Sequence, residues 1–329
     1  MTQKGSTDAR DPDNRSLVFQ LLERFCAQRD LRLFAGDPYG HAGVVEGPAG
    51  KRWYFKGTRF DLNGLGASEI ANDKAYAATF LAEGGITVPD SHFVFSEKIR
   101  DGRPIDGDLL AFAREKKFPL FVKPNIGQEG RDVTRVDTLS VLETVLQNLS
   151  KDHEHLLVQP EIRGREFRIV ILDGEVLCAI ERKRPVVIGN GVSPVSELLS
   201  AHAKLSASDS RVSRELAAQG LELESVPENG QEVTVLPVTN LSRGGTARIV
   251  TADIAPEIIA IVRHAAEILS LRYAGVDVIV PESLSSGNKA VVLEVNAAPG
   301  LSNLARQGTE ESALVERIYD KIFTALFDE

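Results

Sequence analysis

Only two cysteines occur in the 329 residues. Cys26 lies in a helical pattern and Cys178 in a strand pattern, and neither has a Cys or His partner at metal-ligand spacing. A disulfide framework and a thiolate zinc site are therefore excluded, and the pair reads as two buried thiols in a reducing cytosol. No apolar run approaches the length of a membrane span, and the start MTQKGSTDARDPDNRS has no hydrophobic core of a signal peptide. The expectation is a cytoplasmic chain with no membrane partner, its residues 1–15 a disordered tail. A dense basic stripe is also missing, and the net charge is -9, so nucleic acid is not an expected partner. No internal repeat and no low-complexity segment occurs. What is present is an ordinary globular composition, 43% hydrophobic and 26% charged, over a length that fits two or three packed domains.

Apolar periodicity predicts a helix over 16–28 with Ser16 as N-cap. Short strand-like pieces follow, and GPAGK (47–51) reads as a hairpin turn. One helix is expected from about Ser68 to the glycine pair Gly84-Gly85, and another over 106–117. FPLFVKP is a short buried strand, NIGQEGRD a polar loop and VTRV a return to extended chain. The helix SVLETVLQNLS and the strand LLVQPEI come next, then a hairpin turning at Asp173-Gly174. The stretch 193–231 reads as mostly helical and polar. An amphipathic helix over 256–271, the strand AGVDVIV, a Ser- and Gly-rich loop, the strand AVVLEVNAAPG and a helix over 310–327 complete the chain. The mixture of helices with antiparallel strands predicts an α+β fold.

Five segments carry chemistry. In VVLEVNAAPG, residues two apart share a face, so Glu294 and Asn296 point together while Leu293, Val295 and Ala297 are expected in the core. With Asp277 from GVDVIV they make an oxygen set that suits magnesium; a carboxylate solvated at a sheet edge is the plainer alternative. In PLFVKPNIGQEGRDV, Lys123 can place a charge on a phosphate, and Gly127 and Gly130 allow close backbone approach; taken alone, the segment equally fits a hairpin with a solvated lysine. Lys74, in the first turn of a helix, opposes the helix dipole and hints at an anionic partner. ERKRP (181–185) with Arg168 offers guanidinium groups for a carboxylate or phosphoryl oxygens, or is a solvated charged strand. In NLSRGGTAR, Asn240, Gly244, Gly245 and Thr246 suit an anion or substrate loop, although a glycine pair is more often a turn. Arg168, Arg182, Arg184, Arg243 and Arg248 together suggest a basic pocket for an anionic acyl substrate.

In this order, from about residue 53 onward, these segments resemble the ATP-grasp superfamily. NDK…GGITVPDS is similar to its DK helix and following turn, FPLFVKPNIGQEGRDV to its phosphate loop, LLVQPEIRGREFRIVILDGEV to its nucleotide hinge, and AGVDVIV…VVLEVNAAPGL to its metal strands. RKRPVVIGNGVSPVSELL, NLSRGGTA and EVNAAPGL most resemble the ATP-grasp part of cyanophycin synthetases; glutathione synthetases and ribosomal-protein glutamate ligases are more loosely similar. Cyanophycin synthetases carry further N-terminal and Mur-ligase-like regions not found here, so polymer synthesis by this chain alone is not expected. The resemblance implies an ATP-grasp fold with a small N-terminal domain (16–96), a central lid (97–160) and a larger catalytic domain (161–329).

By the same resemblance, Lys74, Lys123, Gly127 and Gly130 would meet ATP phosphates. Gln159, Glu161 and Ile162 would line the adenine hinge, and Glu166 would hold the ribose. Asp277, Glu294 and Asn296 would bind Mg2+, with Mn2+ as a substitute. Arg182, Arg184, Asn240, Gly244, Gly245 and Thr246 would hold the acyl-phosphate end of the substrate. The implied activity is an ADP-forming carboxylate–amine ligase that makes an amide or peptide bond through an acyl phosphate, on small amino-acid-like substrates. The alternatives are a small-molecule kinase and a non-catalytic nucleotide-binding regulator. A homodimer is compatible with the resemblance. Two departures stand out: Gln159 replaces a hinge acid, and NIGQEGRD is longer than related loops.

Overall fold

A computed structural model describes residues 15–127, 129–202, 204–281 and 290–327. The expected tail falls almost entirely outside the described residues, as does the Ser- and Gly-rich loop 282–289.

Ser16 caps α1 (Leu17–Ala27), its hydroxyl accepting from the Phe19 N–H at 3.3 Å. Four strands, β1 (Arg32–Ala35), β2 (Ala42–Glu46), β3 (Arg52–Lys56) and β4 (Arg59–Phe60), form an antiparallel meander in that order. The turn at Pro48–Gly50 falls where GPAGK predicted it. The single helix expected from Ser68 is two helices, α2 (Leu65–Asn72) and α3 (Lys74–Glu83). Asp73 breaks them apart because it adopts extended backbone (φ -93°, ψ 106°) and caps α3, its side chain accepting from the Tyr76 N–H at 3.0 Å.

A second antiparallel sheet contains β5 (His92–Phe95), followed in sequence by α4 (Ser96–Arg100), α5 (Gly107–Lys116), β6 (Leu120–Pro124), β7 (Thr134–Val136), α6 (Leu139–Leu149) and β8 (His155–Pro160). Its order is β5-β8-β6-β7. Val94, Leu120, Val122, Leu142, Leu146 and Val158 form its separate core. The pairing of His92 with Val158 ties β5 to this sheet.

The largest sheet runs β13-β10-β9-β14-β15, all antiparallel. It is built from the hairpin β9 (Arg165–Leu172) and β10 (Glu175–Lys183), followed later by β13 (Thr246–Ile249), α9 (Pro256–Ile268), β14 (Tyr273–Val280) and β15 (Val291–Asn296). Asp173 and Gly174 turn the hairpin with positive φ, as predicted. Between β10 and β13 lie β11 (Val186–Ile188), α7 (Val195–Ser200), α8 (Ser210–Ala217) and β12 (Glu232–Thr234). This stretch is less helical than expected: prolines and positive-φ glycines confine it to two short helices beside the β11–β12 pair. The helix α9 also stops three residues before the expected 271.

The chain closes with α10 (Ser302–Ala305) and α11 (Thr309–Phe327). One face of the large sheet packs on α3 and α9 through Ile169, Ile171, Val262, Ala274 and Val276. The other face is divided. Val170, Leu172 and Tyr273 meet α1, the meander and α11, where Phe25 stacks edge-on to Phe323 at 5.4 Å and Trp53 edge-on to Phe327 at 5.1 Å. The remainder of that face carries charges. No helix among the described residues is long and apolar enough to cross a membrane.

Candidate active site

Strand alternation places Phe167 and Ile169 in the core behind the sheet and Glu166 and Arg168 in front of it. Registry then aligns a charged row. Arg168 on β9 faces Asp277 on β14, which faces Glu294 on β15, while Arg182 on β10 faces Glu166. Arg168 donates through Nε and Nη2 to the two carboxylate oxygens of Asp277, each at 2.6 Å. Arg182 donates to the same carboxylate at 3.4 Å and lies 3.7 Å from Glu166. Asp277 is 4% exposed, so this fork offsets the cost of an otherwise isolated buried charge. Burial opposes charge on Arg168, yet the pairing with Asp277 holds its pKa above the ordinary value. Burial, with Asp277 nearby, raises the Glu166 carboxyl, which accepts a short hydrogen bond from the Thr239 hydroxyl.

Glu294 and Asn296 share this face, with Asn296 Nδ2 at 3.2 Å from Glu294 Oε1. Burial would raise the Glu294 carboxyl, but Lys74, Arg168 and Lys123 carry it well below the carboxylate range. Val295 and Ala297 join the core as expected. Leu293 does not: Asp277 pairs with Glu294 while Val278 pairs with Val292. The extra residue makes a β-bulge that turns Leu293 into the cleft. Among the described residues no three His, Cys, Asp or Glu side chains gather at metal distance. The donor set is two carboxylates and one amide. Its hard oxygens fit Mg2+ completed by phosphate and water, and Asp277 retains lone pairs beyond those bound to Arg168.

The phosphate segment and this row border an open cleft. Lys74, Lys123, Gly127, Gly130, Gln159, Ile162 and Glu166 line it, together with Arg182, Arg184, Asn240, Asp277 and Glu294. Lys74 Nζ donates to the Gly127 carbonyl at 3.1 Å and lies 3.6 Å from Glu294 Oε2. Burial pushes the Lys123 ammonium down to about 8, against the pull of Glu294. Buried Asn125 joins the two halves of the cleft: its amide donates to Asp73 at 2.7 Å and accepts from the Ala75 N–H at 3.0 Å. Gly130 has φ +62°, and a Cβ there would sit 2.3 Å from Asn240 Oδ1, so glycine is required for the loop to close on Asn240. The other end of the cleft is apolar, with Phe121, Ile162, Val238, Ile279 and Leu293. There Gln159, 6% exposed, donates to Ser91 Oγ at 2.7 Å.

Several expected residues lie elsewhere. The side chain of Glu161 turns from the cleft to Arg184 at 3.2 Å and Arg135 at 3.9 Å. Gly244, Gly245 and Thr246 do not line the cleft. Gly244 (φ +88°) ends a short helical turn, Gly245 packs on the Thr239 and Lys183 carbonyls, and Thr246 begins β13 opposite Lys183. The basic pocket is also largely neutralised, since Arg248 pairs with Glu181 at 2.9 Å, Arg184 with Glu161 and Arg168 with Asp277.

Residues the sequence did not flag hold the site in place. Arg211, gripped by Asp209 at 2.6 Å, donates to the Gly130 carbonyl at 3.1 Å. Asn63 donates to the Tyr273 and Ala297 carbonyls at 2.7 and 2.8 Å and accepts from the Arg272 and Tyr273 N–H groups. Neither has a local motif; an Asn between two turn-like segments was the only signal for Asn63. A second cavity opens beside the first and shares Glu129, Arg182, Asn240 and Glu294 with it.

Residues 237–318 match the family of RimK-like ATP-grasp domains. A cyanophycin synthetase of Geminocystis herdmanii is 28% identical over 263 residues, which is 74% of this chain and 29% of that protein. A probable alpha-L-glutamate ligase of Sodalis glossinidius is 29% identical over 248 residues, covering 74% of this chain and 62% of its own. The chain thus spans under a third of the length of the first of these relatives. Among solved structures, a bifunctional glutathione synthetase from Pasteurella multocida aligns with a TM-score of 0.55 at 19% identity, over 94% of this chain and 44% of that one.

Proposed function

We propose that this chain, which carries the ATP-grasp fold and a RimK-like ATP-grasp domain, is an ADP-forming ligase that joins a carboxylate to an amine. The observation that carries the reading is the meeting of two lysines with the Asp277–Glu294–Asn296 oxygens at the border between two cavities. One cavity ends in apolar walls suited to a base; the other is polar and open to a small amino-acid-like substrate.

Lys74 and Lys123 would face phosphate oxygens, and the N–H groups around Gly127 and Gly130 would approach them closely. Phe121, Ile162, Ile279 and Leu293 would sandwich the adenine, with Gln159 and the backbone of Glu161 at its edge. Gln159 offers an uncharged amide where an acid is usual, and Glu166 would meet the ribose. Asp277, Glu294 and Asn296 would hold Mg2+. When bound, Mg2+ and ATP would supply a γ-phosphoryl group to a substrate carboxylate oxygen with release of ADP, and the amine would then attack the acyl carbon with loss of phosphate. Arg182 and Asn240, which line both cavities, would orient the acyl oxygens and stabilise charge gathering there. The β5–β8 sheet, as a lid, would exclude water.

ADP release, measured over a panel of amino acids and dipeptides offered with amines, tests the reading. Carboxylate-dependent ADP release with an amide product identified by mass is expected. The variant E294Q should lose turnover by at least about 100-fold, the scale for removing one group that stabilises transition-state charge. ATP binding without carboxylate-stimulated ADP release, or a stable phosphate ester as product, would overturn it.

A further inference from the structure

Besides β9, β10 and β15, the walls of the second cavity include the meander hairpin (Thr58, Arg59), the end of α2 (Asn72) and the turn after β15 (Pro299 to Asn303). Three guanidinium groups line it. Those of Arg168 and Arg182 are committed to Asp277. The third, Arg59, makes no side-chain hydrogen bond or ion pair among the described residues. The positive charge left over for a ligand is therefore on the N-terminal hairpin, outside the segments in which the sequence placed a basic pocket.

The hairpin is not a loose arm. Thr58 Oγ1 donates to the Ala298 carbonyl at 2.8 Å. Four residues beyond Arg59, Asn63 binds four backbone groups at the ends of β14 and β15. Arg59 is thus carried by a rigid element and needs little ordering to meet a ligand. Within the wall of the same cavity, the Nε of Arg182 is buried without a hydrogen-bond partner, a donor left for an incoming acceptor oxygen. Of the lining carboxylates, Glu294 is offset by Lys74 and Arg168, whereas Glu129 has no cation paired with it.

We propose that Arg59 sets the class of the acyl substrate: it pairs with a second, non-reacting carboxylate on a substrate whose reacting carboxylate lies toward Arg182. An amino acid or short peptide with two carboxylates and an ammonium would satisfy Arg59, Arg182 and Glu129 together. This rests on the ligase reading above and deepens it. Arg59 would touch the substrate without taking part in phosphoryl transfer, so its contribution lies in KM more than in kcat.

The test measures ADP release by the full chain with matched pairs: L-glutamate and L-aspartate against their mono-amides at each carboxyl, and dipeptides that begin with the same residues. In the unmodified protein, neutralising the second carboxylate is expected to raise KM by about tenfold or more, the scale of one charge-assisted pair, with kcat changed by about twofold or less. R59L should abolish that discrimination, R59K should restore part of it, and R59E should invert it. Discrimination that survives in R59L, or ADP release that is indifferent to the second carboxylate, overturns the role of Arg59 and leaves the ligase reading standing. Absence of ADP release with every carboxylate overturns both.

Discussion

Replacing Lys123 by methionine separates what this lysine does for a ligand from what it does to the fold. Burial carries its ammonium from an ordinary 10.5 down to about 8, even with Glu294 pulling the other way. Below pH 8 the side chain is charged in both the folded and unfolded chain, and the folded state bears the full penalty, about 3 kcal/mol. Between pH 8 and 10.5 the unfolded chain binds the proton more tightly. Stability of the unmodified protein therefore rises with pH across that window, about half of the penalty being gone near pH 9. Methionine has similar reach and no charge. K123M should thus be more stable by up to about 3 kcal/mol at pH 7, and the gap should close as the pH approaches 10.5. Urea unfolding at pH 7, 8, 9 and 10 reads this directly through the midpoint at constant slope. The same variant should bind ATP worse at every pH. A variant less stable than the unmodified protein at pH 7, or a gap that does not shrink with pH, would refute the argument that Lys123 is held charged against its surroundings for a ligand.

Other perturbations follow from the same geometry. R168M leaves buried Asp277 with only the single 3.4 Å contact from Arg182, so unfolding free energy should fall by about 3–5 kcal/mol; the double variant R168M/D277L should recover most of it in a urea double-mutant cycle. G130A forces a side chain into φ +62° against Asn240. It should raise the KM for ATP by about tenfold, the equivalent of roughly 1–2 kcal/mol of left-handed strain, and kinetics unchanged from those of the unmodified protein would contradict a role for the closed loop. S16A removes the cap of α1 and its bond to the Gly40 carbonyl. A loss of about 1 kcal/mol is expected, visible as a lower thermal midpoint with ATP binding intact.

Much of the candidate site was legible because it depends on a period of two. Glu294 and Asn296 had to share a face, and the apolar residues around Asp277 had to be strand. What one strand cannot reveal is its neighbour's register. The bulge that turns Leu293 toward the cleft exists only relative to β14. The pairing of Arg168 with Asp277 spans 109 residues; as isolated residues they read as a ligand-binding arginine and a metal carboxylate, and the structure joins them. Gly244 and Gly245 show a different limit, since two adjacent glycines advertise conformational freedom without saying whether a ligand or a turn uses it. The break at Asp73 was written in the cap preference of Asp and was overridden by unbroken helix propensity on either side. Arg59 was invisible because its significance arises from Asn63 anchoring a hairpin to strands some two hundred residues later.

The core that unites α1, the meander and α11 has a consequence for how the protein is made. Phe25 and Trp53 complete their packing on Phe323 and Phe327, so the apolar side of α1 and the meander is not fully covered until α11 has left the ribosome. The sheet built from residues 92–160 has no such debt to later sequence, because its core residues all come from one continuous stretch. Vectorial synthesis would therefore finish this central unit while the surrounding body is still half built. The early segment must meanwhile stay soluble, with Phe25, Trp53 and Phe60 waiting for α11.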